Sequence, residues 1–519
     1  MKPKVIFFIA LNLLVLLSIP AINIFEAPNR GAINWKSKAF LYNMDFAPRW
    51  AAAVLYPLGI STDPQQVIIG KDGWLYLGDM YLSTLSEDRR AASETDLALG
   101  KQIGAAMSAW DAYLTGKGVK VFRLMIGPNK GTIYPEHLPE WARPAPHNPT
   151  DALISQDSGN RFVDLRAPLL EAKNTLPHAL YYKTDTHWNA VGAAVGFRAF
   201  AQTIAISDPT IVWPSPTAYA IVETPLRKGG DLANFLRLSA SLDDEEPVIS
   251  ASTLAITTTT IDFDSKKTLT KGANLPIKAP NTPILVESKG ALNDKKVLWL
   301  RDSFGNSLSP LMAATFKNVI QLHWSEALKP GGRFQQLVDE WKPDYVFVTV
   351  VERAARSEFF TYFPPAAFLP DTGEFKTVSS AIPISDNQLI HGESGNDYEI
   401  TGNDALINFS LSKTVTPTDV DYLSLNLSCA DGTQAIPMQF FWLDETRPAF
   451  DEEHSVKFTA PTGRHLLDLR TLPKWSSASN VKLIRLDFEA NKSCFHVRIE
   501  PPTLDARTGR ETKADKLID

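Results

Sequence analysis

Along the first two thirds of the chain, segments with hydrophobic residues at helical spacing alternate with short apolar runs typical of strands. Ile103, Met107, Trp110 and Leu114 follow helical spacing, and the apolar run at 119–126 predicts a buried strand. This segment is therefore predicted to form an αβ unit.

Further elements of the same kind close this region. The pattern predicts, in order, a strand at 297–300, a helix at 305–315, a strand at 319–324, a helix at 334–341 and a strand at 345–351. Strands that alternate with helices imply a mainly parallel sheet covered on both faces, so the predicted fold class is α/β. Residues 245–285, with four consecutive threonines and scattered prolines, predict a β or loop insertion.

The hydrophobic period changes to two from about residue 390. Segments 423–427, 466–469 and 481–488 alternate as half-buried strands do, and turn residues separate them. A C-terminal β-sandwich over 390–505 is predicted, with the boundary near 378–392. The charged tail, 506–519, is predicted to be disordered.

The N-terminal segment can cross a membrane. Residues 5–25 are apolar except for two Asn and one Ser, and 21 residues at about 1.5 Å each span about 30 Å of hydrocarbon. Lys2 and Lys4 precede it, which places the rest of the chain beyond the membrane. An uncleaved anchor, a cleaved signal peptide and a buried helix are the alternatives, and the poor cleavage site at 20–23 favours the anchor.

Composition and charge narrow the function. The 519 residues carry 52 Lys and Arg against 58 Asp and Glu, a net charge of −6, which argues against nucleic acid as a partner. The only two cysteines, Cys429 and Cys494, exclude a multi-cysteine zinc site. In an exported protein they form either a disulfide or two buried thiols.

Three residues of the α/β region are candidates for nucleophilic catalysis. Asp185 and His187 stand two apart at a helix entry, where a carboxylate can fix the tautomer of an imidazole. Ser303 ends a predicted buried strand where a helix begins. Each feature alone is most often a capping turn or an N-cap, but together they supply a Ser-His-Asp set.

Six segments in a fixed order resemble the motifs of one protein family. They are VIIGKDGWLYLG at 67–78, PNKGTIYP at 128–135, YKTDTHWN at 182–189, GDL at 230–232, RDSFG at 301–305 and VER at 351–353. They are similar to the motifs of the periplasmic alginate O-acetyltransferases and their relatives, SGNH-hydrolase-like proteins that acetylate exopolysaccharides. The resemblance implies an SGNH-like three-layer domain over 26–378, following a membrane anchor or signal at 1–25.

The resemblance also implies roles for single residues. Ser303, His187 and Asp185 occupy the positions of the family's catalytic triad, while Arg301 stands where the family usually has the Gly of a Gly-Asp-Ser block. The side chain that completes the oxyanion hole stays open. The candidates for oxyanion or substrate contacts are Asn129, Trp188, Arg301 and Arg353.

Two pairs of residues have alternative interpretations. Trp74 and Tyr76 either line a sugar platform or belong to a hairpin strand, because their alternation with leucines is typical of a strand. Glu352 and Arg353 either orient the active site or form an ion pair at a strand end.

The function implied is periplasmic transfer of an acetyl group, through a serine acetyl-enzyme, to hydroxyls of an exopolysaccharide. No metal or cofactor is expected. The expected partners are the polysaccharide acceptor, a membrane-bound acyltransferase that delivers acetyl groups, and the inner membrane through the N-terminal helix. A polysaccharide acetyl esterase and a non-catalytic polysaccharide-binding or assembly protein are the alternatives, and glycan binding by the β-sandwich is a further expectation.

Overall fold

The computed structural model describes residues 3–27, 32–157, 159–250, 256–329, 331–366, 368–370, 375–472, 474–489 and 494–507. The helices are α1 (Pro3–Glu26), α2 (Lys38–Leu41), α3 (Phe46–Leu55), α4 (Thr84–Arg89), α5 (Glu94–Gly116), α6 (Lys130–Ile133), α7 (Pro149–Ile154), α8 (Arg166–Thr175), α9 (Ala190–Ser207), α10 (Asp231–Phe235), α11 (Ser309–Thr315), α12 (Trp324–Leu328) and α13 (Phe334–Trp341).

The strands of the first region are short except in the central sheet. They are β1 (Val67–Ile69), β2 (Leu75–Leu77), β3 (Val121–Gly127), β4 (Phe162–Asp164), β5 (Ile221–Glu223), β6 (Leu226–Lys228), β7 (Asp243–Glu245), β8 (Val248–Ile249), β9 (Thr257–Asp262), β10 (Thr268–Ala273), β11 (Ile284–Lys289), β12 (Asn293–Arg301), β13 (Phe316–Leu322) and β14 (Tyr345–Val351).

One central sheet organises this region. Its order in the described residues is β10-β9-β11-β13-β12-β14-β3-β4, and the five strands from β13 to β4 are parallel. Every residue of β14 is buried, as expected for a strand covered on both faces, and α5 and α9 both pack against β3. The carboxyl ends of the parallel strands therefore meet at one edge, where ligands of open α/β sheets bind.

The predicted α/β class is confirmed, and the inserted segment has a defined place in it. Helix α13 and strand β14 have the bounds predicted, whereas the helix predicted at 305–315 begins at Ser309 after a single 3₁₀ turn, Ser303–Gly305. In the segment 245–285, β9 and β10 form a hairpin, and β9 pairs antiparallel with β11. The hairpin thus extends the central sheet.

The C-terminal region is a β-sandwich. Its strands are β15 (Phe368–Pro370), β16 (Phe375–Asn387), β17 (Leu389–His391), β18 (Asp397–Ile400), β19 (Ala405–Val415), β20 (Tyr422–Cys429), β21 (Ala435–Asp444), β22 (Ser455–Pro461), β23 (Gly463–Asp468), β24 (Val481–Phe488), β25 (His496–Ile499) and β26 (Thr503–Arg507). The first half of β16 pairs with β26 and its second half with β19, so this strand joins the two sheets.

The sandwich differs from the sequence expectation at its two ends. Strands β15 and β16 begin before the predicted boundary at 378–392, because β16 is needed by both sheets. Phe375 and Lys376 pair with the last described strand at Arg507 and Ala506. Residues 508–519 of the predicted tail lie outside the described residues.

The two cysteines form a disulfide. Cys429 ends β20 and Cys494 lies just before β25, with their Cα atoms 5.9 Å apart. Of the two alternatives left by the sequence, the structure has the bridge.

The N-terminal helix stands apart from the core. Among the described residues, α1 and α9 are long and apolar enough to cross a membrane. Half of α9 is buried inside the protein, whereas the apolar window of α1 has a mean hydropathy of 2.7 and no buried residue. Helix α1 is therefore compatible with a signal anchor, while α9 is a core helix.

Candidate active site

The carboxyl edge of the central sheet gathers polar side chains from four strands. Asn129 follows β3, Ser303 follows β12, His323 follows β13, and Glu352 and Arg353 follow β14. Their proximity is a direct consequence of parallel strand order.

Asp185, His187 and Ser303 form one hydrogen-bonded chain. His187 Nδ1 lies 2.7 Å from Asp185 Oδ1, and His187 Nε2 lies 2.8 Å from Ser303 Oγ. Because Nδ1–H donates to the carboxylate, Nε2 is left to accept from the serine hydroxyl. This arrangement can remove the proton from Ser303 as its oxygen attacks a carbonyl.

The carboxylate of Asp185 is held in its charged form. Burial alone would raise its pKa, but the hydrogen bonds and charge of His187, together with Arg227, hold the pKa of Asp185 well below its usual range. Arg227 Nη2 lies 3.2 Å from Asp185 Oδ2. Gly230 provides the space, since a Cβ there would lie 2.3 Å from the same oxygen.

A second carboxylate faces the same imidazole. Asp231 Oδ2 lies 3.7 Å from His187 Nδ1, and it accepts from Thr186 Oγ1 at 2.5 Å. Thr186 also donates its amide to Asp231 Oδ1 at 2.7 Å. The GDL motif therefore braces the turn that carries His187.

Lys130 holds that turn from below. This buried ammonium donates to three backbone carbonyls, those of Tyr182 at 3.0 Å, Lys183 at 3.0 Å and Asp185 at 2.7 Å. Its burial lowers the pKa of Lys130 to about 7, although Asp185 and other nearby carboxylates oppose the shift. Trp74 and Tyr76 cover it with their rings.

Asp302 fixes the turn that carries Ser303. Its Oδ1 accepts from the amide of Phe304 at 2.9 Å, and its Oδ2 accepts from the amide of Val351 at 2.7 Å. Strand β14 is thereby joined to the serine turn by a buried carboxylate. The bonds of this turn also occupy the amides of Asp302, Gly305 and Asn306, and leave that of Ser303 as a donor.

His187 and Ser303 line a cleft that encloses about 1030 Å³ of empty space and open solvent. His323, Trp324 and Arg353 line it beside Ser303. An apolar lip closes one side and is formed by Leu77, Met80, Tyr81, Leu82 and Phe235. The cleft is open to solvent beside Ser303 and His187.

Arg353 places a guanidinium group in the cleft wall, where Phe304 and Asn129 hold it. Burial lowers the pKa of Arg353, and its guanidinium lies 5.8 Å from the ring centre of Phe304. It donates to Asn129 Oδ1 at 3.1 Å, while Asn129 Nδ2 lies 3.2 Å from Asp88 Oδ1. Asn129 thus directs its amide group to Asp88 and orients Arg353.

Glu352 bonds to the segment that follows β3 instead of pairing with Arg353. Its Oε2 accepts from the amide of Asn129 at 2.7 Å and from Thr132 Oγ1 at 2.6 Å. The ion pair between Glu352 and Arg353 that the sequence allowed is therefore replaced by separate partners.

Two predicted contact residues do not line the cleft. Arg301 is fully buried and donates to Gln321 Oε1 at 2.8 Å and to the carbonyl of Ile277 at 2.7 Å. Trp188 is also fully buried, and its Nε1 donates to the carbonyl of Phe304 at 3.0 Å. Contrary to the expectation, neither side chain reaches the cleft, because their polar atoms bond to backbone carbonyls, to Gln321 and to Asn306 inside the protein.

The hairpin interpretation of Trp74 and Tyr76 is correct. Strand β2 contains Tyr76 and pairs with β1, and both rings are buried. Tyr76 donates its hydroxyl to the carbonyl of Tyr134 at 2.7 Å, so these rings are not a sugar platform.

Sequence reasoning missed three residues of this site. Asp231 and Lys130 belong to motifs that gave them no role, and His323 is absent from the residues predicted from the sequence. His323 could have been found, since it ends a strand predicted next in order to the strand of Ser303.

A parallel α/β sheet with these three hydrogen-bonded side chains at its carboxyl edge is the arrangement expected of an SGNH-hydrolase-like domain. Residues 67–277 match the family described as SGNH hydrolase-like domain, acetyltransferase AlgX. The match includes Asp185 and His187 and ends before Ser303. The resemblance drawn from the six motifs is confirmed.

The most similar relatives carry one name. A probable alginate O-acetylase AlgJ of Pseudomonas fluorescens is 29% identical over 188 residues, or 35% of this chain and 44% of that protein. The protein of the same name from Pseudomonas syringae pv. tomato is 31% identical over 177 residues, or 33% of this chain and 41% of that protein. The chain thus spans less than half the length of these curated relatives.

Two solved structures align with part of this chain. Bacillus cereus PatB1 covers 57% of this chain and 98% of its own, with a TM-score of 0.42 and 15% identity. The O-acetyltransferase domain of Pseudomonas putida AlgJ covers 56% of this chain and 92% of its own, with a TM-score of 0.36 and 21% identity.

Proposed function

We propose that this protein is a periplasmic O-acetyltransferase that moves an acetyl group through a serine acetyl-enzyme to hydroxyls of an exopolysaccharide. The observation that carries the proposal is the 2.8 Å contact between His187 Nε2 and Ser303 Oγ, in line with Asp185 and open to the cleft. The family match of residues 67–277 supports acetyl transfer as the reaction.

In the first step, His187 Nε2 takes the hydroxyl proton as Ser303 Oγ bonds to the acetyl carbonyl carbon of the donor. The tetrahedral intermediate then breaks its bond to the donor's leaving group, which takes the proton from His187. Acetyl-Ser303 and free imidazole remain.

In the second step, His187 takes the proton of a sugar hydroxyl as that oxygen attacks the acetyl carbon. The bond to Ser303 Oγ breaks, and the serine recovers its proton from His187. Asp185 stabilises the imidazolium formed in both steps.

The acetyl oxygen becomes negatively charged in each tetrahedral intermediate, and hydrogen-bond donors must stabilise that charge. The amide of Ser303 is one, and Arg353, a cation in the cleft wall beside Phe304, is the proposed side-chain donor. Arg353 takes the place proposed from sequence for an oxyanion or substrate contact, whereas Asn129 acts by orienting it.

The remaining parts of the chain have proposed roles as well. Helix α1 anchors the protein in the inner membrane, the α/β region that follows it forms the transferase domain, and the sandwich that begins at β15 binds glycan. A membrane-bound acyltransferase supplies the acetyl group. These roles follow from the apolar helix and from the resemblance to the alginate-modifying relatives.

Replacement of the nucleophile tests the proposal. Ser303→Ala should lower turnover of an activated acetyl ester by at least about 10³-fold, and Ser303→Ala with His187→Ala should lose little more, because triad members act as a unit. Ser307→Ala, on the same loop, is the matched control and should stay active. Activity retained by folded Ser303→Ala, or lost in Ser307→Ala, would refute the assignment.

Product analysis separates transfer from hydrolysis. With an acetyl donor and a panel of oligosaccharides, mass spectrometry should show one added acetyl on the correct glycan, dependent on Ser303. A transferase must place the sugar hydroxyl beside His187 to outcompete bulk water. Release of acetate alone, with removal of acetyl groups from acetylated polymer, would instead define an esterase.

A further inference from the structure

Helix α3 and the turn after it are apolar on two faces. Ala52 and Tyr56 face the protein and join a cluster with Val67 and Leu232. On the outer side, an exposed stripe at a spacing of four residues is formed by Trp50 (48% exposed), Val54 (69%) and Leu58 (67%). A helix that is apolar all round is normally covered on every side.

Trp35, which precedes α2, is a further exposed aromatic residue of the segment that follows α1. Its side chain is 65% exposed, and Lys36 and Lys38 beside it are exposed as well. We call Trp35, Trp50, Val54 and Leu58 the juxtamembrane patch.

The patch is tied to the end of α1. Asn23 Nδ2 donates to the carbonyls of Leu41 and Asn43, both at 2.9 Å. Arg49, at the start of α3, pairs with Glu26, the last residue of α1. The end of α2 and the first turn of α3 therefore sit at the level where α1 ends.

This attachment fixes the depth of the patch, on the proposed function's premise that α1 spans the membrane. The 24 residues of α1 measure about 36 Å, slightly more than the hydrocarbon core of about 30 Å. Asn23 and Glu26 then lie at the boundary between acyl chains and headgroups, and so do the segments bonded to them.

We propose that the juxtamembrane patch lies in the headgroup region of the same bilayer, where lipid covers its apolar side chains. Trp and Tyr are enriched at this depth, and an apolar helix face inserts a few ångströms into it. Lys36 and Lys38 then face the lipid phosphates.

This contact orients the active site. The inward face of α3 packs on the cluster that includes Phe235, and Phe235 stacks on Tyr81 at 5.6 Å in the lip of the cleft. With α1 and α3 both held by the bilayer, the cleft keeps a fixed position relative to the membrane surface from which a membrane-bound donor would act.

Spin labels on the full-length protein in phospholipid vesicles test the proposal. Single cysteines replace Val54 or Leu58, while the two native cysteines remain bonded to each other. Leu226→Cys is the matched control, since Leu226 is 72% exposed on the α/β domain, and Leu14→Cys reports on α1. Retained ester turnover shows that each variant is folded.

Collision with oxygen and with a water-soluble nickel complex gives the depth of each label. The ratio of oxygen to nickel accessibility should be severalfold higher at 54 and 58 than at 226, and highest at 14. Aqueous values at 54 and 58 with a lipid value at 14 would overturn the patch and leave the anchor intact. An aqueous value at 14 would overturn the anchor and the patch together, and protection from both reagents at 54 and 58 would indicate a protein partner and also overturn the proposal.

Discussion

Lys130 shows how a residue outside the cleft can set catalytic geometry. Its ammonium has three N–H donors and three carbonyl acceptors, one of them on Asp185 itself. A neutral amine has only two donors, so loss of the proton leaves one buried carbonyl without its partner.

Lys130→Met should therefore loosen the 182–187 turn and lower the turnover of an acetyl ester by up to about 100-fold, with little change in KM. Lys173→Met is the matched control, because Lys173 bonds the carbonyl of Ile133 and lies over Tyr134, away from this turn. Equal losses in both variants would contradict a specific role for Lys130.

The pH dependence of the wild type should carry the same signature. The pKa of Lys130 is lowered from 10.5 to about 7 by burial, with Asp185, Asp231 and Asp244 opposing the shift. Turnover should fall as pH rises through about 7, and this alkaline loss should be absent from Lys130→Met. Stability should not fall with it, because between pH 7 and 10.5 the unfolded chain binds the extra proton, so this group makes stability rise with pH.

Gly230 is the second residue whose role is geometric. Alanine there would place its Cβ 2.3 Å from Asp185 Oδ2 and force the carboxylate to move. We expect Gly230→Ala to lower turnover by about 100-fold, since displacements of about 1 Å have that effect. Gly395→Ala, at a site with open space, is the control and should match the wild type in the same ester assay. Full activity in Gly230→Ala would show that Asp185 tolerates displacement.

Single residues of the site differed in how well the sequence predicted them. Asp185, His187 and Ser303 could be grouped because a turn and a strand end give local signals. Arg301 and Trp188 were misplaced, since burial of a polar side chain depends on packing between distant segments. The role of Lys130 could not be predicted for the same reason, because its three carbonyl acceptors lie more than 50 residues away in the sequence.

At the level of elements, the serine turn is fastened to its neighbouring strand by Asp302. Asp302→Ala removes the acceptors of two buried amides, those of Phe304 and Val351. We expect a loss of about 1–3 kcal/mol per unsatisfied group and a lower thermal midpoint for the α/β domain. Asp294→Ala is the control, because Asp294 is exposed and pairs only with Lys317 at the surface. An unchanged midpoint in Asp302→Ala, measured by calorimetry, would argue against this fastening.

Elements with strong local periodicity were predicted well, and those defined by pairing were not. The apolar run of β14 and the alternation of β24 have the bounds predicted. The hairpin of β9 and β10 was predicted only as an insertion, because its pairing with β11 depends on contacts that no local pattern encodes. Strand β16 was missed for a similar reason, since most of its residues are exposed and its place is set by two partner strands.

At the level of the whole molecule, the order of anchor, α/β domain and sandwich follows from changes in hydrophobic period. The contacts between the last two do not. Helix α5 packs against the turn Leu469–Thr471 of the sandwich. The sandwich is thus seated on the α/β domain at helix α5.

We expect the thermal stability of the sandwich to have little effect on ester turnover in the cleft. The Cys429–Cys494 disulfide closes a loop of 65 residues and should stabilise the sandwich by about 4 kcal/mol through chain entropy. Replacing both cysteines with serine should lower the thermal midpoint of the sandwich and leave ester turnover at moderate temperature unchanged, because Cys429 ends strand β20 and Cys494 lies just before β25, both within the sandwich. Calorimetry and ester kinetics on the same samples check both halves of this expectation. A large loss of turnover while the sandwich remains folded would mean that the two domains are coupled through more than the α5 contact.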